Sequence, residues 1–143
     1  IRVLNPDVVS VLRDADGVIA RVERREREEL QRRQQRYRGN RPLPALEGRR
    51  VVLVDDGAAT GASMRVAIAA LRAADPAEII VAVPVAPADV VGRLQDEADR
   101  VVCLATPEPF LGVGCWYQRF PQISDEDVCA LLAAAWDADG ATG

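Results

Sequence analysis

The chain has 143 residues and a formal net charge of −4, with no histidine and with arginine as its only basic side chain. This length fits one domain, and the missing histidine and lysine exclude a Ser-His-Asp triad, Schiff-base chemistry and the phosphate-binding lysine of an ordinary P-loop. No run of 18 uncharged apolar residues is present, so we expect no membrane-spanning helix. Three widely spaced cysteines favour a reducing, cytoplasmic setting, since they match neither a metal motif nor a disulfide framework.

The first fifty residues are rich in charge. RVLN (2–5) is predicted to form a short edge strand, and residues 16–36 a long charged helix that ends in the loop YRGNRPLP. Residues 21–41 contain nine arginines and four glutamates. Because the glutamates are interleaved, a solvent-exposed, ion-paired helix is favoured over a nucleic-acid-binding surface.

Strands and helices alternate in the middle of the chain. VVLV (51–54), EIIVAVPVA (78–86) and RVVCLA (100–105) read as strands, and the segments between them have helical periodicity. This order predicts an α/β fold with parallel strands and right-handed crossovers. The unbroken apolar run VVLV predicts a strand covered on both faces. The inward helix positions are expected to be Met64, Ala67, Ile68, Leu71, Val90, Val91 and Leu94.

A last helix is predicted in SDEDVCALLAAAW. Ser124 is a good N-cap, and acidic residues occupy the first turn. We expect a disordered tail over residues 137–143. The buried stripe of this helix is predicted to be Val128, Leu131, Leu132 and Ala135.

The segment VVLVDDGAATGAS (51–63) carries the clearest chemical signal. Asp55 and Asp56 stand at the carboxyl end of a predicted strand, where ligands of open α/β sheets bind. The small residues that follow lead into a helix N-terminus, whose free N–H groups attract an anion. Carboxylates suit hydroxyls or a metal and the amides suit a phosphate, so the pattern predicts a sugar phosphate as ligand.

This segment resembles the phosphoribosyl pyrophosphate (PRPP) signature of the type I phosphoribosyltransferases. The resemblance implies a Rossmann-like parallel sheet with flanking helices, and ribose hydroxyls held by Asp55 and Asp56. YRG before the motif, VPVAP after it and FLGVGCWYQRF near the end also resemble an uncharacterised bacterial branch of the family, over residues 1–136. Family domains usually begin with an earlier strand and a pyrophosphate loop, so we expect the chain to start part-way into the domain. The 5′-phosphate loop implied by the resemblance is Ala59, Thr60, Gly61, Ala62 and Ser63.

The resemblance implies a pentosyltransferase that moves the phosphoribosyl group from PRPP to a nitrogenous base and releases pyrophosphate. Mg²⁺ is expected to bind through the substrate, with no direct protein ligand, and no single catalytic residue is assigned. Purine-salvage members have an acid where Ala59 stands and a lysine near Val83-Pro84, so hypoxanthine and guanine are disfavoured as acceptors.

Candidates for stacking on the base are Phe110, Trp116 and Tyr117, and candidates for pyrophosphate contacts are Arg36, Arg38 and Arg41. Structural aromatics and solvated arginines are the alternatives.

Other interpretations stay open at this stage. LRDADGVI (12–19) imitates the D-x-D-G motif of haloacid-dehalogenase-like phosphatases, with a helix-capping turn as the alternative. VVLVDD also resembles the acidic pocket of a receiver domain, but the required lysine is absent. A non-catalytic regulator that binds PRPP or a nucleotide on the same fold is a further hypothesis. An exposed strand edge would favour a homodimer.

Overall fold

In the computed structural model of the chain, residues 14–140 are described, with side chains to residue 137. The predicted strand RVLN therefore lies outside the described residues. The described residues divide into two compact units, a first unit of 44–120 and a second unit of 14–43 with 121–140. The elements are α1 (Ala15–Arg38), β1 (Arg50–Val54), α2 (Ala62–Arg72), β2 (Glu78–Val85), α3 (Ala88–Gln95), β3 (Arg100–Ala105), a 3₁₀ turn (Val113–Trp116) and α4 (Asp125–Gly140).

The first unit contains a parallel three-stranded sheet. The strand order is β1-β2-β3, with Val52 opposite Ile80 and Val81 opposite Val101. Helices α2 and α3 make the two crossovers, because parallel neighbours need a long return connection. The predicted α/β fold with parallel strands is confirmed.

The core of this unit lies on one face of the sheet. Alternate side chains of β2 are almost fully buried, from 0% exposed at Ile79 to 3% at Val85. Met64 and Ile68 of α2 pack into the same cluster, as do Val90 and Leu94 of α3. The other predicted inward positions, Ala67, Leu71 and Val91, are half-buried.

The opposite face of the sheet is open within residues 14–140. The apolar side chains there include Val54 at 74% exposure and Leu104 at 80%, with Val52 and Val102 also exposed. The prediction that VVLV is covered on both faces is therefore wrong for the described part of the chain. The physical reason is that α2 and α3 contribute their apolar side chains to one core cluster on a single face.

Asp99 links three elements of the first unit. Its Oδ2 accepts hydrogen bonds from the Ile79 backbone N–H at 2.7 Å and from the Arg72 guanidinium at 2.8 Å. The hydrogen bond from Arg72, followed by that from Ile79, lowers the pKa of Asp99 below its ordinary value. Asp99, which directly precedes β3, thus connects the end of α2 and the start of β2 through its side chain.

Removal of the Asp99 charge should weaken the dependence of the free energy of unfolding on pH in the acid range. A carboxylate whose pKa is depressed by folding stabilises fully above its unfolded pKa, and this contribution disappears as pH falls through the folded pKa. The free energy of unfolding of the wild type should therefore fall as pH drops below about 4. Asp99→Asn should be less stable at pH 7 and show a shallower fall between about pH 4 and pH 2. Urea unfolding at several pH values measures both.

Asp96→Asn is the matched control, because this exposed acid in the same connection has no side-chain partner within the described residues. It should track the wild type at every pH. Equal slopes for wild type and Asp99→Asn would contradict the assigned role of Asp99.

The second unit pairs α1 with α4. Asp14 caps α1 by accepting a hydrogen bond from the Gly17 N–H at 3.1 Å, so the D-x-D-G stretch is a capping turn. Arg32 bonds to Glu29 at 2.7 Å and to Asp125 at 2.8 Å. The bonds from Arg32 and Arg33 lower the pKa of Glu29 to about 2. The predicted ion-paired helix is present, and it extends over Ala15–Arg38.

Helix α4 differs from its prediction in two respects. Ser124 caps it as expected, since its Oγ accepts from the Asp127 N–H at 3.2 Å. Leu131, however, is 65% exposed and Ala135 is also exposed, so the predicted four-residue buried stripe is wrong at both positions. The helix also continues to Gly140, into the segment 137–143 predicted as a tail. Arginine and tyrosine side chains of α1, rather than an apolar surface alone, engage the start of α4.

None of the helices within residues 14–140 combines the length and the apolar character needed to cross a bilayer.

Candidate functional site

The loop between β1 and α2 runs along the carboxyl end of β2. The Asp55 N–H donates to the Ala82 carbonyl at 3.4 Å, and the Ala58 N–H donates to the Val85 carbonyl at 3.0 Å. Gly57 and Ala58 are buried, whereas Asp55 and Asp56 are exposed. The loop is therefore anchored at its middle while its two carboxylates stay in solvent.

Two glycines give this loop its shape. A Cβ at Gly57 would lie 2.7 Å from Val113 Cγ1 and 3.0 Å from the Val85 carbonyl oxygen, so only glycine fits without displacement. Gly61 has φ of +71° in the left-handed region and forms the N-cap of α2. Gly61 thus turns the chain into the helix without covering the helix terminus with a side chain.

The start of α2 retains free backbone donors. Gly61 provides no side-chain cap, and the first helical bond runs from the Arg65 N–H to the Gly61 carbonyl at 2.9 Å. The Ala62 N–H makes a long contact of 3.4 Å to Thr60 Oγ1. Within the described residues, the N–H groups of Ala59, Thr60, Gly61 and Ser63 have no hydrogen-bond partner. Such a terminus is suited to an anion.

These residues surround a shallow cavity of about 200 Å³. Six of the seven residues predicted to bind the sugar phosphate line it; Asp56 does not. Four more lining residues had not been assigned from the sequence. The lining residues are Asp55, Gly57, Ala58, Ala59, Thr60, Gly61, Ala62, Ser63, Met64 and Val113.

The acid pair is held by its own backbone and by Tyr117. Asp55 Oδ1 accepts a hydrogen bond from the Asp56 N–H at 2.9 Å. On the other side, the Asp56 carbonyl accepts from the Tyr117 hydroxyl at 2.6 Å. These bonds hold one Asp55 carboxylate oxygen and the Asp56 backbone, and they leave the Asp56 carboxylate oxygens without a protein partner in the described residues.

The predicted aromatic candidates occupy different environments. Tyr117 is half-buried and tilts against Phe120, with 5.1 Å between ring centroids. Trp116 is 47% exposed and Phe110 is half-buried, and neither lines the cavity. Val113 lies fifty-odd residues from the loop it lines, and nothing local in the sequence signals that contact.

The predicted arginine candidates all belong to the second unit. Arg36 pairs with Glu126 and lies 3.6 Å from Asp125. The Arg41 guanidinium stacks over Trp136, 3.9 Å from the ring centroid. Arg38 lies in the last turn of α1. Contact of these arginines with a pyrophosphate stays a prediction.

No group of three or more histidine, cysteine, aspartate or glutamate side chains among the described residues is placed to hold a metal ion. All three cysteines are free thiols.

The family model of the phosphoribosyl transferase domain matches residues 2–117 of this chain. The chain belongs to the phosphoribosyltransferase family. Proteins of Mycobacterium tuberculosis strains CDC 1551 and H37Rv, both named "Putative phosphoribosyl transferase", are 45% identical to it over 135 residues. That match covers 94% of this chain and 30% of each relative, so the chain spans less than a third of the length of these mycobacterial proteins.

A solved structure supports the fold. The crystal structure of TT1426 from Thermus thermophilus superposes with a TM-score of 0.73 at 42% identity, over 92% of this chain and 62% of that one. The predicted phosphoribosyltransferase family and α/β fold are confirmed.

Proposed function

We propose that the chain binds PRPP at residues 55–63 and transfers its phosphoribosyl group to a nitrogenous base, releasing pyrophosphate. The observation that carries this proposal is the adjacency of two exposed carboxylates to the start of α2, where Asp55 and amides without a partner in the described residues line one cavity. Asp55 and Asp56 would accept hydrogen bonds from the ribose hydroxyls. The amides from Ala59 to Ser63 would donate to the 5′-phosphate.

The reaction asks little of individual side chains. The bond from the sugar C1 to pyrophosphate breaks as a base nitrogen forms its bond to C1, and positive charge develops on the ring in between. Fixed positioning and preorganised dipoles can lower such a barrier without a protein acid or base. A family member without histidine and lysine is chemically reasonable on these grounds.

Mg²⁺ fits this site as part of the substrate complex. Carboxylate oxygens suit a hard cation; Asp55 lines the cavity, and Asp56 is its exposed neighbour in the chain. Two carboxylates alone bind Mg²⁺ weakly, because the ion usually takes one or two carboxylates together with phosphate oxygens of the substrate. When bound, the ion would neutralise the leaving pyrophosphate.

The acceptor is a base other than hypoxanthine or guanine in this proposal. Ala59 offers no carboxylate to a purine ring nitrogen, and Val83-Pro84 offers no ammonium group. Trp116 is the most exposed of the three candidate aromatics and is the candidate for stacking. A cytoplasmic location and a homodimer stay predictions.

Pyrophosphate release tests the proposed reaction. The chain is incubated with PRPP and Mg²⁺ and with each member of a panel of purine, pyrimidine and pyridine bases, and pyrophosphate is measured by a coupled assay. We expect release above the base-free level with at least one acceptor, and its loss on removal of Mg²⁺ with a chelator. Saturable PRPP binding with no release across the panel would instead support the non-catalytic regulator. Absence of both binding and release would refute the proposal.

A further inference from the structure

The 3₁₀ turn and the residues that follow it pack against the back of the acid-bearing loop. We name residues 113–120 the buttress. Its first residue, Val113, occupies the space beside Gly57, and Phe120 packs against Gly114 within the buttress itself. Both contacts are tight, because a Cβ at Gly57 would lie 2.7 Å from Val113 Cγ1 and a Cβ at Gly114 would lie 3.0 Å from Phe120 Cδ1. The buttress is thus folded on itself and pressed against the loop.

Tyr117 is the polar contact between the buttress and the loop. Its hydroxyl donates to the Asp56 carbonyl at 2.6 Å across 61 residues of sequence. The ring is held in place by Phe120, at a centroid distance of 5.1 Å and an interplanar angle of 40°. A tyrosine with a packed ring and a bonded hydroxyl has little freedom, so it fixes the atom it touches.

The Asp56 residue is consequently held on both sides. Its N–H donates to Asp55 Oδ1, and its carbonyl accepts from Tyr117. These two bonds set the orientation of the two peptide planes that flank the Asp56 Cα, and so the direction in which its side chain leaves the backbone. The first of these bonds also holds one oxygen of the Asp55 carboxylate. The orientation of the Asp56 backbone therefore depends in part on a residue outside the motif.

We propose that Tyr117 is a positioning residue that presents Asp56 to the sugar diol and so gives the site its preference for a ribose over a bare phosphate. This inference rests on the proposed function for the location of the ribose. It assigns to Tyr117 a role through the backbone, in place of the base stacking that its aromatic character first indicated. The amides that would hold the phosphate, from Ala59 to Ser63, follow the buried anchor at Gly57 and Ala58, and none of them is hydrogen-bonded to Tyr117.

Tyr117→Phe tests this role because it removes one hydroxyl and retains the ring. Affinities for ribose 5-phosphate and for inorganic phosphate are measured by titration of the same protein. A neutral hydrogen bond contributes modestly, so the affinity for ribose 5-phosphate should fall about three- to tenfold. The affinity for inorganic phosphate should not change. Amide hydrogen exchange of residues 56–59 in the ligand-free chain should also accelerate.

Tyr37→Phe is the matched control. Tyr37, the other tyrosine of the chain, donates its hydroxyl to Asp125 in the second unit. Its loss should leave both affinities and the exchange of residues 56–59 unchanged. An equal fall in both affinities with Tyr117→Phe would show a merely structural role and overturn the proposal, as would no change in either affinity or exchange. If the wild-type chain binds neither ribose 5-phosphate nor inorganic phosphate, the proposed function is refuted as well. Independently of ligand binding, unaltered hydrogen exchange of residues 56–59 in Tyr117→Phe would show that Tyr117 does not support the loop.

Discussion

Asp55→Asn/Asp56→Asn lowers the affinity for PRPP by at least about a hundredfold and leaves the fold intact, if the acid pair binds the ribose. A hydrogen bond to a charged acceptor contributes about 1.5–3 kcal/mol, and two such bonds account for this loss. Asparagine has nearly the same shape, and its Oδ1 can still accept from the neighbouring N–H as Asp55 does now. The change therefore removes charge with little disturbance of the loop. Calorimetric titration with PRPP and Mg²⁺ measures the loss, and circular dichroism checks the fold.

The matched control for the acid pair is Asp96→Asn, an exposed acid of the same unit that is outside the cavity. Its affinity for PRPP should equal that of the wild type. If the double variant retained wild-type affinity for PRPP, the assignment of Asp55 and Asp56 to the binding site would be wrong.

Gly57→Ala has the second large effect, on stability and binding together. The new Cβ would overlap both methyl groups of Val113, at 2.7 and 2.9 Å, and press on the Val85 carbonyl oxygen at 3.0 Å. Overpacking of this kind costs about 1–3 kcal/mol. We expect the free energy of unfolding to fall by that amount and PRPP affinity to fall with it, because the loop must move. Urea unfolding and calorimetric titration measure the two effects.

A second substitution locates the cause of that effect. Val113→Ala removes the methyl groups that Gly57→Ala strikes, so the alanine at position 57 should cost less in the Val113→Ala background. Gly92→Ala is the control, because a Cβ there meets no atom within 4 Å and the site is helical. It should be neutral or stabilising by about 0.4–1 kcal/mol. Additive effects of Gly57→Ala and Val113→Ala would contradict the tight contact between loop and buttress.

The sequence predicted the parallel sheet because the sheet depends on local patterns, and most of the residues that line the cavity belong to one continuous motif. Apolar runs at 51–54, 78–86 and 100–105 match β1, β2 and β3 closely. The motif itself contains the glycines and the small residues that shape the loop. For Gly61, the left-handed φ and the helix start both follow from residues that are adjacent in sequence.

The features that could not be predicted depend on contacts distant in sequence. Tyr117 was an aromatic candidate, but its bond to the Asp56 carbonyl spans 61 residues and involves backbone, which no side-chain pattern records. The open face of β1 and β3 was missed because a run of valines looks the same whether one face or both are covered. The helical period predicts that Leu131 is buried, yet it is 65% exposed, and the ion pairs from α1 to α4 are made to Asp125 and Glu126 at the start of α4.

Residue-resolved NMR of the ¹⁵N-labelled chain, titrated with ribose 5-phosphate and in parallel with inorganic phosphate, tests the central claim most directly. The account predicts that ribose 5-phosphate shifts the amide signals of residues 55–63 and of Tyr117. Inorganic phosphate should shift those of Ala59 to Ser63 and leave those of Asp55 and Asp56 in place. Shifts concentrated outside residues 55–63, or identical patterns for the two ligands, would contradict the division of the loop into a diol-binding pair and a phosphate-binding turn.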